Sequence, residues 1–198
     1  MSDVIVLHAA RAGQGAQGLE QALLERLPYA YRLDLERRDE ASRSASLLGL
    51  HLLAEGLLHT RGAAFDPSRL RFPQGGKPSL EGGPYFSISH SACRVAVALS
   101  DRHGLGLDIE DVGANGRSRA ELERWTAVEA SLKALGSGLR RSIEVCLSPD
   151  LATAEFAGAI VHLRPLALAP DCVATLATQE PEGRVEVVRG QRRGDRGQ

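Results

Sequence analysis

The sequence predicts an α+β protein built from two similar α/β halves with a cleft between them. Two observations lead there. Amphipathic helical stretches and short strand patterns alternate along the 198 residues. A faint internal echo then divides the chain. Ala45-Ser46-Leu47-Leu48 compares with Ala130-Ser131-Leu132-Lys133, and Cys93-Arg94-Val95-Ala96-Val97-Ala98 with Cys172-Val173-Ala174-Thr175-Leu176-Ala177. The expected halves are residues 1–104 and 105–188. Residues 189–198 carry glycine and charge without apolar partners, so a disordered tail is expected there. A chain of this length buries roughly 70% of its unfolded surface and needs no staples.

The elements follow in order. Val4 to Leu7 reads as a short strand, residues 11–18 as a glycine-rich loop, and Leu19 to Leu27 as an amphipathic helix stopped by Pro28. Ala41 to Leu58 is the longest helical pattern, with Leu47, Leu50, Leu53, Ala54, Leu57 and Leu58 on one face. Ser68 to Phe72 is a short strand before a turn at Gly75 to Pro78. Tyr85 to Ser89 and Arg94 to Leu99 are two strands flanking His90-Ser91-Ala92, and Leu105 to Glu110 is the next strand. A polar turn from Asp111 to Ser118 leads into a helix from Ala120 to Leu135, stopped at Gly136-Ser137-Gly138. Strands are expected near Ser142–Cys146, Ala154–Leu163 and Cys172–Thr178.

Composition excludes several classes. A net charge of −1 and a pI near 6.6 give no general basic surface for nucleic acid. No stretch approaches membrane-spanning length and no leader-type segment opens the chain, so a cytoplasmic protein is expected. Cys93, Cys146 and Cys172 are unclustered and fit reduced thiols. Nucleotide-loop readings fail: no Gly-Lys-Ser/Thr follows the first glycine cluster, and Arg71 and Pro78 break the pattern around Lys77.

The chemistry concentrates in three carboxylates. A strand puts Asp108 and Glu110 on one face, with Leu107 and Ile109 on the other. Helix spacing aligns Trp125, Glu129 and Lys133 on one stripe, with Trp125 expected as a core anchor. Two acidic groups on a strand, facing a third and a lysine on a helix, suit Mg²⁺ bound to a phosphate ester, because hard cations take oxygen ligands. Of 24 Lys and Arg residues only Lys77 and Lys133 are lysines, and both fall in these motif-like segments. The flanking serines make Ser87-Ile88-Ser89-His90-Ser91 rich in hydrogen-bonding groups, which suits a phosphate clamp.

Gly76-Lys77-Pro78, Phe86-Ser87-Ile88-Ser89-His90-Ser91, Gly106-Leu107-Asp108-Ile109-Glu110 and Trp125-Thr126-Ala127-Val128-Glu129-Ala130-Ser131-Leu132-Lys133 occur in that order. Together they resemble the motif set of the 4′-phosphopantetheinyl transferases, in the group with two fused pseudo-symmetric halves. The resemblance implies a pseudo-twofold arrangement with the active site in the cleft. It implies transfer of the phosphopantetheine arm of coenzyme A to a serine of an apo acyl, polyketide or peptidyl carrier protein, with release of 3′,5′-ADP. In that reading Asp108, Glu110 and Glu129 hold Mg²⁺, and Lys133 contacts the pyrophosphate. Lys77, Ser89 and His90 hold coenzyme A phosphates, with Ser46 and Arg43, or Arg38, at the 3′-phosphate. The serine proton goes to Glu129 or to a metal-bound water.

The chain departs from the family where Val128 replaces a lysine, where Ala45 replaces a basic residue, and in a shortened stretch between Glu110 and Trp125. Arg117, Arg119 and Arg124 in that stretch are the expected docking charges for the carrier. The partner set implied is a carrier protein, without nucleic acid or membrane, acted on by a monomer. Two other functions fit the same residues: a catalytically degenerate protein that binds coenzyme A or a carrier, and a metal-dependent hydrolase of the coenzyme A pyrophosphate.

Overall fold

A computed structural model describes residues 3–11, 17–73, 77–113, 116–137, 144–181 and 183–190. The chain begins with β1 (Val4–Ala10), then α1 (Gln17–Arg26), α2 (Tyr29–Glu36) and α3 (Glu40–Arg61). Next come β2 (Leu70–Arg71), β3 (Ser79–Leu80), β4 (Tyr85–His90), β5 (Arg94–Ser100) and β6 (Leu105–Asp111). After α4 (Arg119–Leu135) follow β7 (Cys146–Leu147), β8 (Thr153–Phe156), β9 (Ala159–Pro165), β10 (Cys172–Thr178) and β11 (Val185–Arg189). The fold is therefore mixed α and β, as expected.

Local chemistry sets the two long helices. Asp39 caps α3 by accepting from Ser42 N–H at 2.9 Å, and Gly62 ends it in the left-handed region at φ 60°. A reciprocal capping box between Ser118 and Glu121 starts α4, and Gly136 at φ 67° stops it.

The strands form a four-stranded sheet in the order β11-β1-β5-β4, a five-stranded sheet in the order β6-β10-β9-β8-β7, and a small β2-β3 pair. β1 runs antiparallel to β5 and parallel to β11. α3 covers one face of the first sheet, packing Leu47, Leu50, Leu53 and Leu57 with Ile5, Leu7, Val97 and Leu99. The opposite face buries Val4, Val6, Ala96 and Ala98 with Leu105, Leu107, Ile109 and Leu176. Ala127, Ala130 and Ala134 of α4 then cover the second sheet at Val161, Leu163 and Ala177. Small residues permit this closeness. A Cβ at Gly106 would lie 2.0 Å from the Ala130 carbonyl oxygen, so β6 and α4 touch through backbone.

Several segments differ from expectation. Pro28 separates two helices, and α2 had no counterpart in the sequence reading. The single strand expected over Ala154–Leu163 is a hairpin, because Ala157 and Gly158 both take positive φ, 52° and 80°. Arg189 ends β11, whereas 191–198, most of the expected tail, lie outside the described residues. So do 12–16 of the expected glycine loop, Gly75 and Gly76, and 142–143 of the strand expected before Cys146. The three cysteines are free thiols. Among the described residues no helix is long and apolar enough to cross a membrane.

Candidate functional site

The site forms along the edge of β6 that β10 leaves free. No strand pairs there among the described residues; side chains from β4, α4 and the segment before β3 take over instead. Leu107 N–H donates to Ser87 Oγ at 3.0 Å and Ile109 N–H to Ser89 Oγ at 3.3 Å. Lys133 Nζ donates to the Leu107 carbonyl at 3.1 Å, and Lys77 Nζ donates to the Leu105 carbonyl. The alternation along one strand edge satisfies buried backbone groups while aiming four polar side chains at one place.

Asp108 sits at the centre and is 4% exposed. Its Oδ1 accepts from Ser89 Oγ at 2.9 Å and from Lys133 Nζ at 2.5 Å, a partly buried ion pair. Its Oδ2 is buried without a hydrogen-bond partner. Lys133 also donates to Ser89 Oγ at 3.2 Å, closing a Ser89–Asp108–Lys133 triangle.

The other two carboxylates crowd this centre. Burial first, and then the charge of Asp108, push the Glu129 carboxyl up to about 7, with Glu110 adding to the rise. Burial and Asp108 also raise Glu110, while a hydrogen bond from Trp125 opposes them. Trp125 is half-buried with the Arg117 guanidinium 4.6 Å from its ring centroid, so it is a lining residue and not the expected core anchor. Mutual repulsion among three carboxylates, and an orphaned Asp108 oxygen, fit an all-oxygen site for a hard dication. Among the described residues no group of three or more His, Cys, Asp or Glu side chains forms a ready-made ion cage. Lys133 occupies Asp108 Oδ1 in that arrangement.

Basic groups gather around His90 and Lys133. Burial, then Arg11, Lys133 and Arg38, hold His90 below the usual histidine range. Burial and Lys133 hold Lys77 down to about 7. Arg11 bridges the Ser91 carbonyl at 2.8 Å and the Ala41 carbonyl at 2.6 Å, joining β4 to α3. Arg38 donates to Ser46 Oγ at 2.9 Å and pairs with Asp34 at 2.5 Å. Of the two arginines considered for Ser46, Arg38 makes the contact; Arg43 is half-buried on the first turn of α3 with its N–H on Asp39. Sequence reasoning missed Arg11, whose only signal is its position just past β1. It also missed buried Asp111, which accepts from Ser91 Oγ at 2.7 Å and Cys93 N–H at 2.8 Å and so fixes the β4–β5 turn.

The chain matches no known protein-family model and no curated protein. The geometry brings Asp108, Glu110 and Glu129 together with Lys133, Lys77 and His90 around one edge of β6.

Proposed function

We propose that this chain transfers the 4′-phosphopantetheine arm of coenzyme A to a serine hydroxyl of an apo carrier protein. The observation that supports it most is the Ser89–Asp108–Lys133 triangle, in which Asp108 is coupled to Glu110 and Glu129 and Lys133 to Lys77 and His90. A substrate carrying a pyrophosphate meets both halves of that arrangement.

The serine oxygen attacks the phosphorus bearing the pantetheine arm, the bridging P–O bond breaks, and 3′,5′-ADP leaves. Negative charge grows on the phosphoryl and leaving oxygens. Asp108, Glu110 and Glu129 would hold the Mg²⁺, which when bound neutralises pyrophosphate charge. Lys133, held by Asp108 and Ser89, supplies a positioned cation to the same oxygens. Lys77, Ser89 and His90 hold phosphate groups, and Arg38 with Ser46 takes the 3′-phosphate. Glu129 receives the serine proton.

The two-half reading has topological support: β1-β5-β4 and β6-β10-β9 are corresponding antiparallel triplets, each covered by one long helix. A cytoplasmic monomer acting on a carrier protein completes the proposal. The test is product mass after incubation with coenzyme A and Mg²⁺, with and without an apo carrier. A phosphopantetheine adduct on the carrier supports transfer. Coenzyme A cleaved without the carrier indicates hydrolysis, and coenzyme A bound but intact indicates a degenerate binder.

A further inference from the structure

A basic pocket lies where the first sheet meets the loop before β10. It has a volume of about 380 Å³ and is lined by His8, Arg94, Arg189, Leu168, Ala169 and Pro170. Sheet register assembles its polar wall. The parallel β1–β11 pairing sets Arg189 directly beside His8, and the antiparallel β1–β5 pairing sets Arg94 beside Ala10. Directly paired residues project to the same face of a sheet, so both guanidiniums and the imidazole point into one recess.

Two buried groups there are unsatisfied. His8 Nδ1 and Arg94 Nε have no hydrogen-bond partner, although Arg94 Nη2 pairs with Asp171 at 2.6 Å. A buried polar group left unpaired costs free energy, so a native protein keeps such groups for a reason. The field in the recess is positive. Burial, then Arg94 and Arg189, hold His8 below the usual histidine range. Leu168, Ala169 and Pro170 supply an apolar wall opposite the charges.

We infer that this pocket binds a small oxyanion, a carboxylate or phosphate group carried on a compact apolar body. Arg94 Nε–H and the Arg189 guanidinium donate to the anionic oxygens. His8 adds a third contact through Nδ1, and the apolar wall receives the rest of the ligand. None of these residues belongs to the carboxylate site, so the inference does not depend on the proposed transfer reaction.

The experiment is a titration of the isotope-labelled full chain with inorganic phosphate and, separately, with acetate, followed by residue-resolved NMR. The expected result is saturable shifts at His8, Arg94 and Ala169, with the His8 imidazole pKa moving upward on saturation. Saturation by either anion upholds the site, the tighter one naming the headgroup. In Arg94→Met the apparent dissociation constant should rise at least tenfold. Arg189→Gln, an exposed change at the sheet edge that leaves the core untouched, should weaken binding in the same direction. Shifts confined to Ser89 and His90, shifts that never saturate, or binding unchanged in Arg189→Gln would each overturn the inference.

Discussion

Lys77 and Lys133, the only lysines in the chain, donate to alternate carbonyls of one strand edge, Leu105 and Leu107. Burial lowers the proton affinity of Lys77, and the Lys133 ammonium, held close by the same strand edge, lowers it further. Asp108 pairs with Lys133, so an anion bound beside Lys77 would restore the proton affinity that Lys77 has lost.

The first prediction follows from Lys77. Its folded pKa, about 7, lies below the unfolded value of 10.5, so between these values the unfolded chain binds more protons. Stability should therefore rise as pH increases through that window, and the full penalty applies below about 7. Urea unfolding of wild type and Lys77→Met across the window should show the slope in the first and its reduction in the second. The same sign governs binding: above pH 7 an incoming phosphate must also reprotonate Lys77, so KM for coenzyme A should climb in wild type and stay flatter in Lys77→Met.

Asp108→Ala should lower transfer by roughly a hundredfold or more, the scale seen when one preorganised electrostatic group is removed. It also strips Lys133 of its counter-charge, so a thermal melt should accompany the rate assay. Near wild-type turnover in a folded Asp108→Ala protein would reject the site.

Gly106→Ala tests how the site is assembled. The added methyl would meet the Ala130 carbonyl at 2.0 Å and the Ala134 nitrogen at 2.5 Å, both backbone atoms. Forcing α4 away from β6 should cost about 1–3 kcal/mol or more. Chemical denaturation reads the loss, and transfer should fall further than stability alone explains, because Glu129 and Lys133 move with the helix.

Docking of the carrier should depend on salt. Arg124 is exposed, whereas Arg119 is tied to the Pro170 carbonyl at 2.7 Å and Arg117 to the Trp125 ring. Arg124→Glu is therefore expected to slow association with an acidic carrier several-fold at low ionic strength and far less at high salt. Stopped-flow association at two salt concentrations provides the check.

Much of this site was legible in the sequence, and the reason is periodicity. Asp108 could be assigned to a strand face away from Leu107 and Ile109 because alternation fixes sides, and both apolar neighbours lie in the core between the sheets. Glu129 and Lys133 share a helix stripe for the corresponding reason. The legible part ends where contacts join distant segments. Arg11 meets Ser91 and Ala41 through tertiary packing alone, and Arg38 reaches Ser46 from outside the helix that carries it. The β8–β9 turn was hidden because Ala157 occupies a left-handed position that asparagine or aspartate usually marks. The β11 strand was hidden by its charged, partly exposed residues, since its ladder partner is some 180 positions earlier.

That last pairing has a bearing on how the molecule comes into being. β1 is made before both of its ladder partners, and its sequence, Val-Ile-Val-Leu-His-Ala-Ala, is nearly all apolar. Its β5 neighbour and then its β11 neighbour emerge much later, so one edge of an oily strand stays open until β11 is made. Such edges recruit other chains, and contacts this distant in sequence close slowly. The nascent protein should thus depend on holding chaperones until β11 clears the ribosome, and shortening the chain before Val185 should turn a foldable protein into an aggregating one.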